Sequence, residues 1–206
     1  MPTELLPDQS VWIHFLLRWL HFIFGILWIG HLYFFNFVNG NVQAKLDAAV
    51  KKAVVPELMP RALWWFRWGA MITFLTGYSM IIYRYWIATD GGMKALMASS
   101  YGHWISLGGL LGTIMWFNVW FIIWPGQKKI IRAVAAGEKP DAAVAERARK
   151  ASKLNTFLSI PMLFAMGAAS HLTISNWVWW VGAIIVGFLI AQTLFKLAPK
   201  VGTKIP

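Results

Sequence analysis

The chain has 206 residues, of which 58% are hydrophobic and 13% are charged, with 19 Lys and Arg against 8 Asp and Glu. Because soluble domains are on average about 25% charged, this composition excludes a water-facing surface of ordinary polarity. The net charge of +11 would suit nucleic acid, but long uncharged runs separate the basic residues and argue against that partner. The absence of cysteine excludes disulfides, iron–sulfur clusters and a covalent c-type haem. The composition predicts an integral membrane protein.

Five stretches are long and apolar enough to cross a bilayer, since a hydrocarbon core of about 30 Å needs roughly 20 helical residues. They cover about 17–38, 63–86, 104–124, 154–172 and 177–195. In the second span, Arg67 and Arg84 lie near the two ends and can snorkel to the interfaces, and Pro161 predicts a kink in the fourth. Three asparagines near the span ends predict interhelical hydrogen bonds rather than a transport path: Asn36, Asn118 and Asn155. We expect an all-α fold, a single transmembrane domain over residues 1–206 forming a bundle of five transmembrane helices.

The distribution of basic residues predicts the orientation. Fifteen Lys and Arg lie in 39–61, 125–153 and the C-terminal tail that ends with Lys204, whereas Lys94 stands alone among the loops of the other side. By the positive-inside rule the N-terminus is periplasmic and the C-terminus cytoplasmic, in a bacterial inner membrane. Glu4 and Asp8 make the N-terminus unlike a cleavable signal. Residues 125–153 are a cytoplasmic connector, either a short helix on the inner leaflet or a solvated loop.

All five histidines lie in or beside the predicted spans: His14, His21, His31, His103 and His171. Ionisable groups at membrane depth are costly and therefore indicate a function. At a rise of about 1.5 Å per residue, three of them, from three different helices, fall at one depth near the outer face. These three are His21, His103 and His171.

Two imidazoles from facing helices can hold the iron of haem b without covalent attachment. We therefore predict a haem b site with His21, His103 and His171 as iron ligands, two per haem, and with Arg18, one turn before His21, at a propionate. The third span contains small residues that would let a flat macrocycle approach closely: Gly108, Gly109 and Gly112. Two alternatives stay open, namely a copper or zinc site and three packing histidines that only form hydrogen bonds.

A series of motifs is recognisable along the chain. They are Arg18-Trp-Leu-His21, Trp28-Ile-Gly30, Tyr33-Phe34, Pro56-Glu-Leu-Met-Pro60, Trp65-Phe66-Arg67-Trp68, His103, Gly112-Thr-Ile-Met115, Asn118-Val119, Pro125-x-Gln127-Lys128, Gly137-x-Lys139-Pro140-Asp141, Asn155, Pro161-Met-Leu-Phe164 and His171. In this order they resemble the membrane domain of bacterial cytochrome-c-linked urate oxidase (urate hydroxylase). The first helix is also similar, more weakly, to haem-binding protoporphyrinogen oxidases and copper-resistance membrane proteins.

The resemblance implies a membrane haem scaffold whose family histidines match His21, His103 and His171. Full-length enzymes of the family carry a C-terminal c-type cytochrome, and this cysteine-free chain resembles a short form without it. We expect a haem b-binding electron-transfer protein, a subunit or redox partner of a respiratory complex that passes electrons to a periplasmic cytochrome c. Two other interpretations stay open: a membrane urate or purine oxidase that uses a separate cytochrome, and an accessory structural subunit. Whether the chain is an enzyme stays open as well.

Overall fold

The computed structural model describes residues 9–88 and 91–203, and within these ranges all regular structure is helical. The helices are α1 (Gln9–Tyr33), α2 (Gly40–Gln43), α3 (Ala48–Ile82), α4 (Gly92–Met97), α5 (Ser100–Phe117), α6 (Trp124–Ala136), α7 (Ala142–His171) and α8 (Trp177–Leu197). Three π-helical segments continue them: Phe34–Asn39 joins α1 to α2, Tyr83–Ile87 extends α3, and Asn118–Ile123 joins α5 to α6. Glu4, Asp8 and Lys204, used above to argue topology, lie outside these ranges.

These helices and π-helical segments form five long rods, one for each predicted span. In chain order they are Gln9–Gln43, 48–87, Ser100–Ala136, Ala142–His171 and Trp177–Leu197. Three of them, Gln9–Gln43, Ser100–Ala136 and Trp177–Leu197, are long and apolar enough to cross a membrane. The second and fourth predicted spans are helical within α3 and α7, but these helices are more polar. The expectation of an all-helical protein with membrane-spanning capacity is therefore confirmed.

The core lies where α1 packs along α3, α5 along α7, and α8 along α7. Its largest fully buried side chains come from several of these helices: Trp104, Phe66, Leu32, Leu63 and Met115. The outer surface is apolar as well, with Ile26 exposed by 72%, Leu189 by 62% and Trp177 by 73%. Large apolar side chains facing outward suit a lipid environment, where association is driven by packing and polar contacts.

Residues 125–153 form a helical hairpin. Helix α6 continues the third rod without a break and ends at Gly137, whose φ of 78° is left-handed and suits glycine. Asp141 then caps α7 by accepting from the backbone nitrogens of Ala143 and Val144. A helix does start after Asp141, as the sequence predicts, but the prediction that it is short is wrong, because it continues as α7 to His171.

Hydrogen bonds of polar side chains join the rods inside the bundle, as the positions of the asparagines in the sequence predict. Asn118 donates from Nδ2 to Asn155 Oδ1 at 2.8 Å, and Asn155 donates from Nδ2 to the carbonyl of Met115 at 2.9 Å. Asn36 donates to Ser152 Oγ at 2.8 Å. The predicted interhelical hydrogen bonds of these asparagines are therefore present.

Pro161 lies inside α7, which continues through it. Helix α8 comes closest there, because a Cβ on Gly187 would lie 2.6 Å from Pro161 Cδ. The glycine lets α8 pack directly against the proline ring.

Candidate functional site

A partly open cavity of about 210 Å³ lies between the helices at the end of the bundle where α1 and α5 begin. Helix α1 contributes His14, Arg18 and His21 to its wall, and the π-helical extension of α3 contributes Arg84. Because their spacings of four and three residues place the α1 side chains on one helix face, a single stripe of α1 supplies most of the basic groups. In the part of the chain that the structure describes, no carboxylate lines this cavity. The lining therefore favours an anionic ligand.

Aromatic rings orient the groups at the rim of the cavity. The guanidinium carbon of Arg84 lies 4.3 Å from the ring centroid of Tyr101, within cation–π distance. The His14 ring meets that of Tyr83 edge to face, with centroids 4.9 Å apart. Sequence reasoning assigned His14 no role and treated Arg84 as a snorkelling residue. The signal for His14 was its seven-residue spacing from His21, which returns to the same face after two turns.

Helix α3 holds His21 in place. The hydroxyl of Thr76 donates to the carbonyl of Ile72 at 2.7 Å, so its oxygen is left to accept from His21 Nδ1, 3.2 Å away. With Thr76 as acceptor, the imidazole tautomer that carries its proton on Nδ1 has its lone pair on Nε2, and the backbone of Thr73 also forms a hydrogen bond with the ring. The ring also lies against Gly77, where a Cβ would come within 3.0 Å of Cε1. His21 is thus a half-buried, oriented imidazole with one nitrogen suited to ligate a metal.

Helix α5 contributes a glycine wall to the cavity, formed by Gly109 and Gly112, beside the side chains of Tyr101, Ile105 and Thr113. Gly109 and Gly112 line the cavity, and a Cβ at either would meet nothing within 4 Å. Gly108, by contrast, packs against Met166, whose Cε would lie 3.0 Å from an added Cβ. Of the three glycines expected to admit a flat group, two face open space and one serves helix packing.

The other two predicted iron ligands lie outside the cavity wall. His103 donates from Nε2 to the carbonyl of Met97 at 2.9 Å, and its Nδ1 lies 2.7 Å from Ser175 Oγ, so both ring nitrogens are engaged. His171 is exposed at the end of α7 and donates from Nδ1 to the carbonyl of Gly167 at 2.9 Å. The structure brings His21 and Arg18 together, but not the three histidines. Within residues 9–88 and 91–203, no group of three His, Asp or Glu side chains is placed to hold a metal ion.

Comparison with known proteins gives one match. A family model described as "Urate oxidase N-terminal" matches residues 91–201, which is more than half of the chain. The glycine wall of α5 lies inside the matched region, whereas His14, Arg18, His21 and Arg84 precede it. No curated protein and no solved structure matches the chain.

Proposed function

The chain belongs to the urate oxidase N-terminal family, and from this premise we propose that it is a haem b-binding membrane protein of electron transfer. It serves as a subunit or redox partner of a respiratory complex and passes electrons to a periplasmic cytochrome c. The observation that carries the proposal is His21 on the cavity wall, with Nδ1 facing Thr76 and the lone pair on Nε2. Imidazole held in this way is a common axial ligand of haem iron.

Residues of the cavity match the different parts of a haem, but at about 210 Å³ the cavity is smaller than pockets for larger ligands and would have to widen to admit the whole macrocycle. His21 would ligate the iron through Nε2, and Arg18 and Arg84 would form charge-assisted hydrogen bonds with the propionates. The wall at Gly109 and Gly112, which an added Cβ would not crowd against any neighbour, would accept a flat ring. A haem bound here supplies one-electron transfer, while the chain supplies its orientation and the surrounding charge.

The residue that would supply the second ligand of the iron distinguishes two arrangements. His103 or His171 could pair with His21, as the sequence predicts, but each would have to give up its hydrogen bonds. Met166 already lines the cavity, and a His–Met pair is an established haem ligand set. His21 is common to both, so we propose it as the ligand on which binding depends. His103→Ala, His171→Ala and Met166→Ala then separate the two arrangements, since only the true ligand's loss changes the spin state of the bound haem.

The deciding experiment is the reduced-minus-oxidised spectrum of the purified chain, with pyridine extraction to quantify haem. The wild type should show a b-type α-band, and His21→Ala should lose most of it. His31→Ala is the matched control, because His31 lies on the same rod but bonds to the carbonyl of Leu27 and does not line the cavity. A wild-type protein without haem, or a His21→Ala variant with a normal spectrum, would refute the proposal.

We also propose that all five rods cross the inner membrane, with the N-terminus in the periplasm. The support is the strong charge asymmetry of the loops. Because the chain has no cysteine, single cysteines can report topology. A membrane-impermeant maleimide added to intact cells should label Met93→Cys, an exposed position between α3 and α5, and spare Glu138→Cys between α6 and α7. The reverse pattern would overturn the orientation.

Oxidation of urate or a related purine is the second candidate function, with the electrons leaving to a separate cytochrome. The cavity favours it in one respect: at about 210 Å³ it is smaller than the 300–1,000 Å³ or so typical of ligand pockets, and its lining is cationic. Such a space suits a small, flat, anionic ring. Because this cavity cannot hold a haem and urate together, the test uses the chain without haem and a separate cytochrome c as electron acceptor. Urate should then reduce the cytochrome, whereas an unchanged oxidised spectrum would exclude this activity.

A further inference from the structure

Arg67 lies among three tryptophan rings near the middle of α3, six residues before the cavity-lining Thr73. Its guanidinium carbon is 4.1 Å from the ring centroid of Trp124, 5.1 Å from that of Trp120 and 5.8 Å from that of Trp68. The cation thus comes from α3, and two of its rings come from the third rod. Lys128, one turn after Trp124, places Nζ 5.4 Å from the same ring. We call Arg67, Trp124 and Lys128 the Arg67 site.

Arg67 has no hydrogen-bond acceptor and no carboxylate partner in the part of the chain that the structure describes. Its Nε is buried and unpaired. Other cations in the described residues do form ion pairs, all of them exposed. Arg61 pairs with Glu57, and Arg149 and Lys150 pair with Glu146. Aromatic faces stabilise the positive charge, but a guanidinium also carries five N–H donors, and ring faces do not replace oxygen acceptors. An ordered cation at membrane depth is therefore left without its counter-charge.

We propose that the Arg67 site binds the phosphate of an anionic phospholipid. Two oxygens of a phosphate match the planar donors of arginine, and Lys128 adds a second, flexible cation beside them. Tryptophan rings favour the headgroup level of a bilayer, and the neighbouring Trp64 and Trp65 are exposed. The proposal rests on the membrane insertion of α3 but not on haem binding, so either can fail without the other.

Native mass spectrometry of the full chain with phosphatidylglycerol, and separately with phosphatidylcholine, measures the site directly. The wild type should retain phosphatidylglycerol preferentially. Arg67→Gln should weaken that binding about tenfold, the cost of a lost charge-assisted pair, and Lys128→Gln about fivefold. The matched controls are Arg61→Gln on α3 and Lys129→Gln on α6. Each removes one positive charge from the same helix as its test variant, but away from the tryptophan rings around Arg67. They should change binding by less than about twofold.

Each other outcome counts against the proposal. Equal retention of the two lipids by the wild type would overturn it, as would equal losses in Lys128→Gln and Lys129→Gln. The comparison of Lys128→Gln with Lys129→Gln tests the proposal even if Arg67→Gln fails to fold, because both lysines are exposed and their loss leaves the core intact. Inorganic phosphate at millimolar concentration should not displace the lipid. Displacement would mean that the site takes free phosphate instead.

Discussion

Replacing Asn155 tests whether the polar contacts inside the bundle hold the third and fourth rods together. Asn155 is fully buried, accepts from Asn118 and donates to the carbonyl of Met115. The π-helical segment that starts at Asn118 disturbs the regular pattern of backbone bonds in the preceding turn. The side chain of Asn155 therefore stabilises a backbone group as well as a partner side chain.

The expected loss follows from the two groups left behind in Asn155→Ala. A buried polar group without a partner costs about 1–3 kcal/mol, whereas interhelical hydrogen bonds in membranes contribute about 0.6 kcal/mol on average. Two such groups predict a loss of about 1–6 kcal/mol in the free energy of unfolding.

Unfolding in mixed detergent–SDS micelles, followed by circular dichroism, measures this loss. Asn41→Ala is the control, because the hydrogen bond that the Asn41 side chain forms among the described residues is to the carbonyl of Phe37 on its own rod. The double variant Asn118→Ala/Asn155→Ala should show a coupling of about 0.5–1.5 kcal/mol between the two sites. If Asn155→Ala is as stable as Asn41→Ala, or if the coupling is zero, the reasoning is refuted.

Three further predictions concern the cavity and the helix leading to it. Thr76→Val removes the acceptor of His21 Nδ1 and should weaken haem binding about 10–100-fold, as measured by haem titration. Gly112→Leu should fill the open space beside α5. The haem content of the purified variant should fall, whereas its unfolding temperature should stay that of the wild type. Gly102→Ala should destabilise the fold by about 1–3 kcal/mol, measured in the same micelles, because its Cβ would overlap the carbonyl of Leu96.

Controls for these three variants lie on comparable helices. Thr193→Val removes a hydroxyl that donates to the carbonyl of Leu189 outside the cavity lining and should leave haem affinity within a few-fold of the wild type. Gly167→Leu enters open space away from the cavity and should keep its haem. Gly182→Ala, with no neighbour near its Cβ, should not destabilise α8. If a control variant loses as much haem binding or stability as its test variant, the physical reason given for that test variant is wrong.

The hydrophobic runs of the sequence predict five rods because each run is long enough for a helix and bounded by polar or turn-forming residues. The buried asparagines were predictable for a similar reason, since an amide in an apolar helix needs a partner. The histidine trio was harder, because spacing along the chain gives depth but not the direction in which a side chain faces. His103 shares its end of the bundle with His21, yet it bonds to Met97 and Ser175.

Helix α6 was missed as a continuation of α5 for a different reason. Pro125 suggests a break, but proline is tolerated in the first turn of a helix, and here it follows directly on a π-helical segment. The cationic side of the cavity was only partly predictable, since Arg84 reaches it from the end of α3 after a second such segment.

The π-helical segment Asn118–Ile123 also bears on how related chains can differ in length. A π turn holds about one residue more than an α turn, and one residue corresponds to about 100° around the helix. Loss of a single residue here would convert the π turn into an α turn and leave α6 in nearly the same orientation, so Trp124 and Lys128 would stay beside Arg67. Loss of a residue from a regular α turn of α5 would instead turn α6 by about that angle and carry both side chains away from Arg67. The π-helical segment is thus the place in this rod where a single-residue deletion preserves both the glycine wall and the proposed lipid contact.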